Sequence, residues 1–169
     1  LLFAFFTVCL ACNVVSTWNN VALNSIRKAK LSPPVAARTL AIFNVAIYDA
    51  TMSLVTDFKP YKYSISTNQS AIVEGAVISA ARKSLSLLFP DQVDMFTAVY
   101  NNDISAFNAS LELENGIYIG TKVAERVFND RLLDGSQSIV QYAGSDLPGK
   151  WRPTPSKYPC FSALAARHL

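Results

Sequence analysis

A chain of 169 residues carries one domain with a real core and is too short for two of ordinary size. Hydrophobic residues make up 51% and charged residues 16%, which excludes a disordered chain. The net charge of +3 comes from scattered basic residues, with Lys28-Ala29-Lys30 and Arg82-Lys83 the densest points, so no basic face of nucleic-acid type is formed.

The chain opens on LLFAFFTVCLAC, an unbroken apolar run. It is too short to span a bilayer, which takes ~20 helical residues. Residues 1–12 have the character of a secretory signal peptide without its initiator Met and basic start, and Ala11 and Cys12 supply small residues for cleavage. A buried N-terminal helix is the other reading of the same run. The leader reading implies a secreted protein, and the sequons Asn68-Gln69-Ser70 and Asn108-Ala109-Ser110 agree with it as N-glycosylation sites at Asn68 and Asn108. Cys9 and Cys12 would leave with the leader. Cys160 then has no internal partner, and stability rests on packing.

Residues 13–135 read as a helical domain. From Val14 to Lys30, Trp18, Val21, Ala22, Ser25 and Ile26 recur at helical spacing against a polar face of Asn19, Asn20, Asn24, Arg27 and Lys28. Ser32-Pro33-Pro34 restarts the helix, with serine as its cap and the prolines in the first turn. The next stripe is Leu40, Phe43, Ile47, Ala50 and Leu54, followed by an irregular connection, TDFKPYKYSISTNQS. A third helix over 70–89 has a face of small residues (Val73, Val77, Ala80, Ala81, Ser84) that lets a neighbour approach closely. Pro90-Asp91 breaks it, and Val93, Phe96, Tyr100, Ile104 and Phe107 form the clearest amphipathic stripe. In the last helix Glu112 and Glu114 suit the N-terminus, Gly116 and Gly120 form a packing notch, and Asp134-Gly135 is the expected end. No strand-type alternation of useful length occurs, and 136–169 is a Gly- and Pro-rich extended tail. The expectation is an all-α bundle of about five helices with a hydrophobic leader and a loop-rich tail.

Chemistry-bearing residues are few. His168 is the single histidine and sits next to the C-terminal residue, and no phosphate-binding glycine loop or nucleophile elbow occurs. The pairs Asp91/Asp94 and Asp130/Asp134 read as surface carboxylates at helix ends. Asp49 differs, because it lies inside an apolar helix and needs a partner; a structural ion pair with Arg38, or with Arg82, is expected.

Taken together, the motifs WNNVALNSIRKAKLSPPVAARTLAIFNVAIYDA, EGAVISAARKSLSLLFP, GTKVAERVFNDRLLDGS and GKWRPTP resemble the N-terminal helices of vanadium-dependent haloperoxidase-like proteins, of the type 2 phosphatidic acid phosphatase/haloperoxidase superfamily. The similarity runs from about Trp18 to Pro155 and includes Ala37-Arg38 and Ala46 through Ala50; Asn44 departs from it, standing where many relatives have histidine. The resemblance implies an oxyanion, vanadate or phosphate, held by lysine, arginine and backbone donors, with a histidine that coordinates vanadium or attacks phosphorus. Its signature places a lysine seven residues before Arg-Pro, followed by Pro-Ser-Gly-His and Ser-Arg-x5-His. Seven residues before Arg152 stands Ser145, and neither histidine motif occurs in the sequence. By the resemblance, this chain supplies no catalytic, vanadate-binding or metal residue. Vanadate is expected for a full-length parent, and the expected partner is a missing C-terminal catalytic half, or a second copy meeting exposed apolar helix faces. No nucleic acid and no membrane span are expected.

Overall fold

The computed structural model describes residues 4–138 apart from 56, together with 147–150, and side chains from Val14 onward. Among them are five α-helices and no strand: α1 (Ala4–Ala29), α2 (Pro33–Met52), α3 (Val73–Leu88), α4 (Val93–Ile104) and α5 (Leu111–Asp130). A 3-10 turn at Pro90–Gln92 joins α3 to α4. The architecture is the expected all-α bundle. Trp151-Arg152-Pro153, Cys160 and His168 lie outside the described residues.

α1 is continuous from the apolar run into the amphipathic segment. It buries Trp18, Ala22, Ser25 and Ile26, and the Trp18 indole N–H donates to Asp103 Oδ2 at 2.9 Å, which ties α1 to the end of α4. The helix closes with Lys30 at φ 51°, whose N–H returns to the Arg27 carbonyl while Leu31 N–H reaches Ile26. This is a Schellman end with lysine in the left-handed position that glycine usually takes. Pro33 and Pro34 open α2, and Ser32 has the extended backbone of a cap residue but makes no capping bond with its side chain. Pro34 removes one of the N–H groups a cap would reach.

α3 is the central helix and packs against each of the other four. Every residue from Gly75 through Ala81 is buried, so α3 is enclosed on nearly all sides and not on the single small-residue face expected from its sequence. α5 lies closest to it: Gly116 and Gly120 are buried against the backbone of Ile72 and Ala76, and Ile72 N–H donates to the Glu112 carbonyl at 2.9 Å. The Ser110 hydroxyl caps α5 by accepting from Leu113 N–H. α5 ends at Asp130, four residues before the expected Asp134-Gly135, and just beyond that end Arg38 donates to the Arg131 carbonyl at 2.8 Å. On α4, Phe96 is fully buried and Tyr100 and Ile104 flank the core; Phe107 does so from the turn beyond the helix.

Candidate functional site

Asp49 does not pair with Arg38 or Arg82. Its fully buried carboxylate instead accepts from three consecutive backbone N–H groups: Tyr61 at Oδ1, and Lys62 (3.2 Å) and Tyr63 (2.9 Å) at Oδ2. A buried carboxylate must be compensated, and here backbone donors meet that demand in place of a cation. The connection after α2 is thereby fastened to the helix, with further ties from Tyr48 Oη to the Lys59 carbonyl and from Ile65 N–H to Ser53 Oγ. Lys62 Nζ reaches across to Asp130 at 2.6 Å, and that hydrogen bond holds the Asp130 carboxyl below its ordinary value. Arg82 packs over the Tyr100 ring, 4.7 Å from its centroid.

Arg38 pairs with Asp134: its Nε and Nη2 both reach Asp134 Oδ2, at 3.3 and 3.0 Å. Asp134 Oδ1 accepts from Ser136 N–H at 3.0 Å. The Ser136 hydrogen bonds, with Arg38 as the smaller contributor, pull the Asp134 carboxyl from 3.8 down to about 2. A carboxyl whose folded pKa is depressed stabilises the fold when ionised. Its contribution is therefore complete above the unfolded value of 3.8 and is lost as pH falls through about 2. The expected carboxyl titration of Asp134, followed by NMR, has its midpoint near 2, and Ser136→Ala raises that midpoint more than Arg38→Gln does. A midpoint at 3.8 in the folded chain would show that the turn is not formed as described.

At this end of the bundle the ends of α1, α3 and α5 meet the start of α2 around a cavity of about 550 Å³. Its walls are apolar (Leu31, Val35, Ile42, Leu88, Phe89, Phe128), and Lys28, Arg38, Arg131, Asp91 and Gln92 add the polar groups. The volume falls in the range of small-molecule sites. Along the outer side of α2 run two further hollows, one lined by Ala41, Asn44, Val45, Tyr48, Lys59 and Tyr61, the other shared with Arg38, Val127, Arg131 and Asp134. The bundle-end cavity leaves no trace in local sequence, because its lining comes from five separate segments.

The structure brings Arg38 and Asp134 together and leaves the other sequence candidates apart. Asn68 and Asn108 are exposed outside the helices, and Ser110 of the second sequon is engaged in capping α5. Asn44 is exposed, with its amide on the Leu40 carbonyl at 3.0 Å. Asp91 and Asp94 stand in the first turns of the 3-10 segment and of α4. Among the described residues, no group of three or more His, Cys, Asp or Glu could hold a metal ion, and no helix is long and apolar enough to cross a membrane. No family model, curated protein or solved structure matches the chain.

Proposed function

We propose that the chain is the N-terminal helical region of a secreted vanadium-dependent haloperoxidase-like enzyme, which oxidises halide with peroxide on bound vanadate. The oxyanion nest and the histidines belong to a downstream segment, because the 169 residues contain neither histidine motif and carry serine at position 145. One observation carries the reading: the residues behind the family resemblance have framework roles. Trp18 ties α1 to α4, Pro33-Pro34 starts α2, and Asp49 fastens the connection after it. A helical region of a larger fold also leaves apolar groups for its partner half, and Leu132, Leu133, Phe58, Tyr61 and Tyr118 are all exposed.

The test is to extend the transcript past Leu169 and express both forms. The extended chain is expected to carry the lysine/Arg-Pro and histidine motifs and to oxidise bromide with vanadate and peroxide, while residues 13–169 alone give no turnover. Bromide oxidation by the short form, or a continued reading frame without those motifs, would overturn the proposal. Phosphoester hydrolysis by the extended chain in place of halide oxidation would assign it to the acid-phosphatase branch of the same superfamily. A reading frame that stops at Leu169 would favour a non-catalytic helical interaction module.

A further inference from the structure

The cavity at the bundle end combines an apolar interior, unbalanced positive charge and an unmet hydrogen-bond acceptor. Of its three cations, Arg38 is held by Asp134 and the Arg131 carbonyl. Arg131 has only a 3.7 Å contact to its neighbour Asp130, whose other oxygen is taken by Lys62 at 2.6 Å. Lys28, in the last turn of α1, is exposed and has no carboxylate of the described residues within salt-bridge distance. Helix ends modify this balance: three C-termini each contribute about −0.5 charge, and the N-termini of α2 and of the segment that opens at Pro90 about +0.5 each, a net of about −0.5. Lys28, Arg38 and Arg131 line the cavity against Asp91, and Asp134 pairs with Arg38, which leaves a formal excess of one positive charge, larger than that offset. The mouth is therefore positive.

Gln92 adds direction. It is 6% exposed, and its Nε2 donates to the Ser25 carbonyl at 3.3 Å, while Oε1 is buried without a partner. Turning the amide over would set two oxygens against each other, so the orientation is fixed. An unpartnered buried acceptor is destabilising until a donor meets it. Gln92 lines the cavity.

We propose that this cavity binds a small amphiphilic organic acid: its anionic group at Lys28 and Arg131, its apolar body against Val35, Ile42, Phe89 and Phe128, and an N–H or O–H directed at Gln92. The site uses none of the oxyanion chemistry assigned above to a downstream segment, so either assignment can fail without the other.

The probe is 8-anilinonaphthalene-1-sulfonate, which carries a sulfonate, two aromatic ring systems and one N–H, titrated by fluorescence into the 169-residue chain. One molecule is expected to bind per chain. Lys28→Glu combined with Arg131→Glu is expected to weaken binding ~10-fold or more, a factor that corresponds to ~1.4 kcal/mol. Gln92→Leu is expected to weaken it less, and Val35→Trp to abolish it by filling the interior. Far-UV circular dichroism of each variant establishes that the helices persist, and the charge variants, being at the surface, keep the test open if Val35→Trp fails to fold. The uncharged N-phenyl-1-naphthylamine is expected to bind more weakly. Equal affinity for the two dyes, unchanged binding in the charge-reversed chain, or equal loss in Leu133→Ser (an exposed leucine outside the cavity) would each overturn the proposal.

Discussion

Asp49→Ala is expected to destabilise the chain by about 3 kcal/mol, measured as a lower urea midpoint with an unchanged slope. The carboxylate is fully buried and is the acceptor for the N–H groups of Tyr61, Lys62 and Tyr63. Truncation strips three donors of their partner at once and leaves a hole beside Ala50. Each stranded donor costs about 1–3 kcal/mol if it stays buried. Tyr61 and Lys62 are surface residues, so the segment can lift and hydrate, and this relaxation keeps the loss below the simple sum. Against a total stability of ~5–15 kcal/mol for a domain, the effect is still large. Asp49→Asn should cost about 2 kcal/mol, because whichever way the amide is turned, its NH2 faces an N–H. The signature that separates this role from mere packing is local: amide exchange at 61–63 should rise in both variants. Asp57→Ala, in the same connection but exposed, should change stability by no more than about 0.5 kcal/mol. Wild-type stability for Asp49→Asn would refute the fastening role.

This residue also marks the limit of what the sequence discloses. A carboxylate amid Ile47, Tyr48 and Ala50 states that compensation is needed, but backbone donors twelve to fourteen residues away have no side-chain signature. Arg38 has the same difficulty in reverse. Its ion pair with Asp134 spans 96 positions, and only the packing of α2 against α5 brings the two together. Helix positions were legible because they depend on local periodicity and on prolines, as at Pro33-Pro34 and Pro90. The centrality of α3 was half legible: its run of Gly, Ala and Ser announces close approach, but enclosure by four neighbours is a tertiary outcome. The expected leader, the expected glycosylation at the sequons and the family resemblance concern processing and chemistry that the bundle's geometry does not express. Of the elements tied to packing, the glycine notch is the most legible, because the spacing of Gly116 and Gly120 is local.

That notch gives the second large effect. Gly120→Ala is expected to destabilise by about 2–3 kcal/mol, although the same change on an exposed helix would stabilise by ~1 kcal/mol through propensity. A Cβ built at Gly120 collides with the Ala76 carbonyl oxygen and would lie 2.8 and 2.9 Å from Ala76 C and Cα. All three are backbone atoms of the central helix, so no rotamer change can relieve the contact. α3 and α5 must separate, and the buried contacts of Ile119, Val123 and Ala80 along their seam loosen with them. Gly116→Ala meets the Ile72 carbonyl oxygen and the Ala76 nitrogen at 3.3 Å, and should cost slightly less because Ile72 stands at the start of α3, where the chain can yield. Gly75→Ala is the discriminating control. Its nearest neighbour is Leu113 Cδ1 at 3.0 Å, the far end of a flexible side chain, so the loss there should stay within about 1 kcal/mol. Thermal midpoints of the three variants should therefore fall in the order Gly75→Ala, Gly116→Ala, Gly120→Ala, from smallest drop to largest. Equal stability of Gly120→Ala and wild type would mean that α3 and α5 do not lie in contact at this register. The Gly75 variant tests the complementary point, that what matters along this seam is whether backbone or side chain stands opposite the new methyl group.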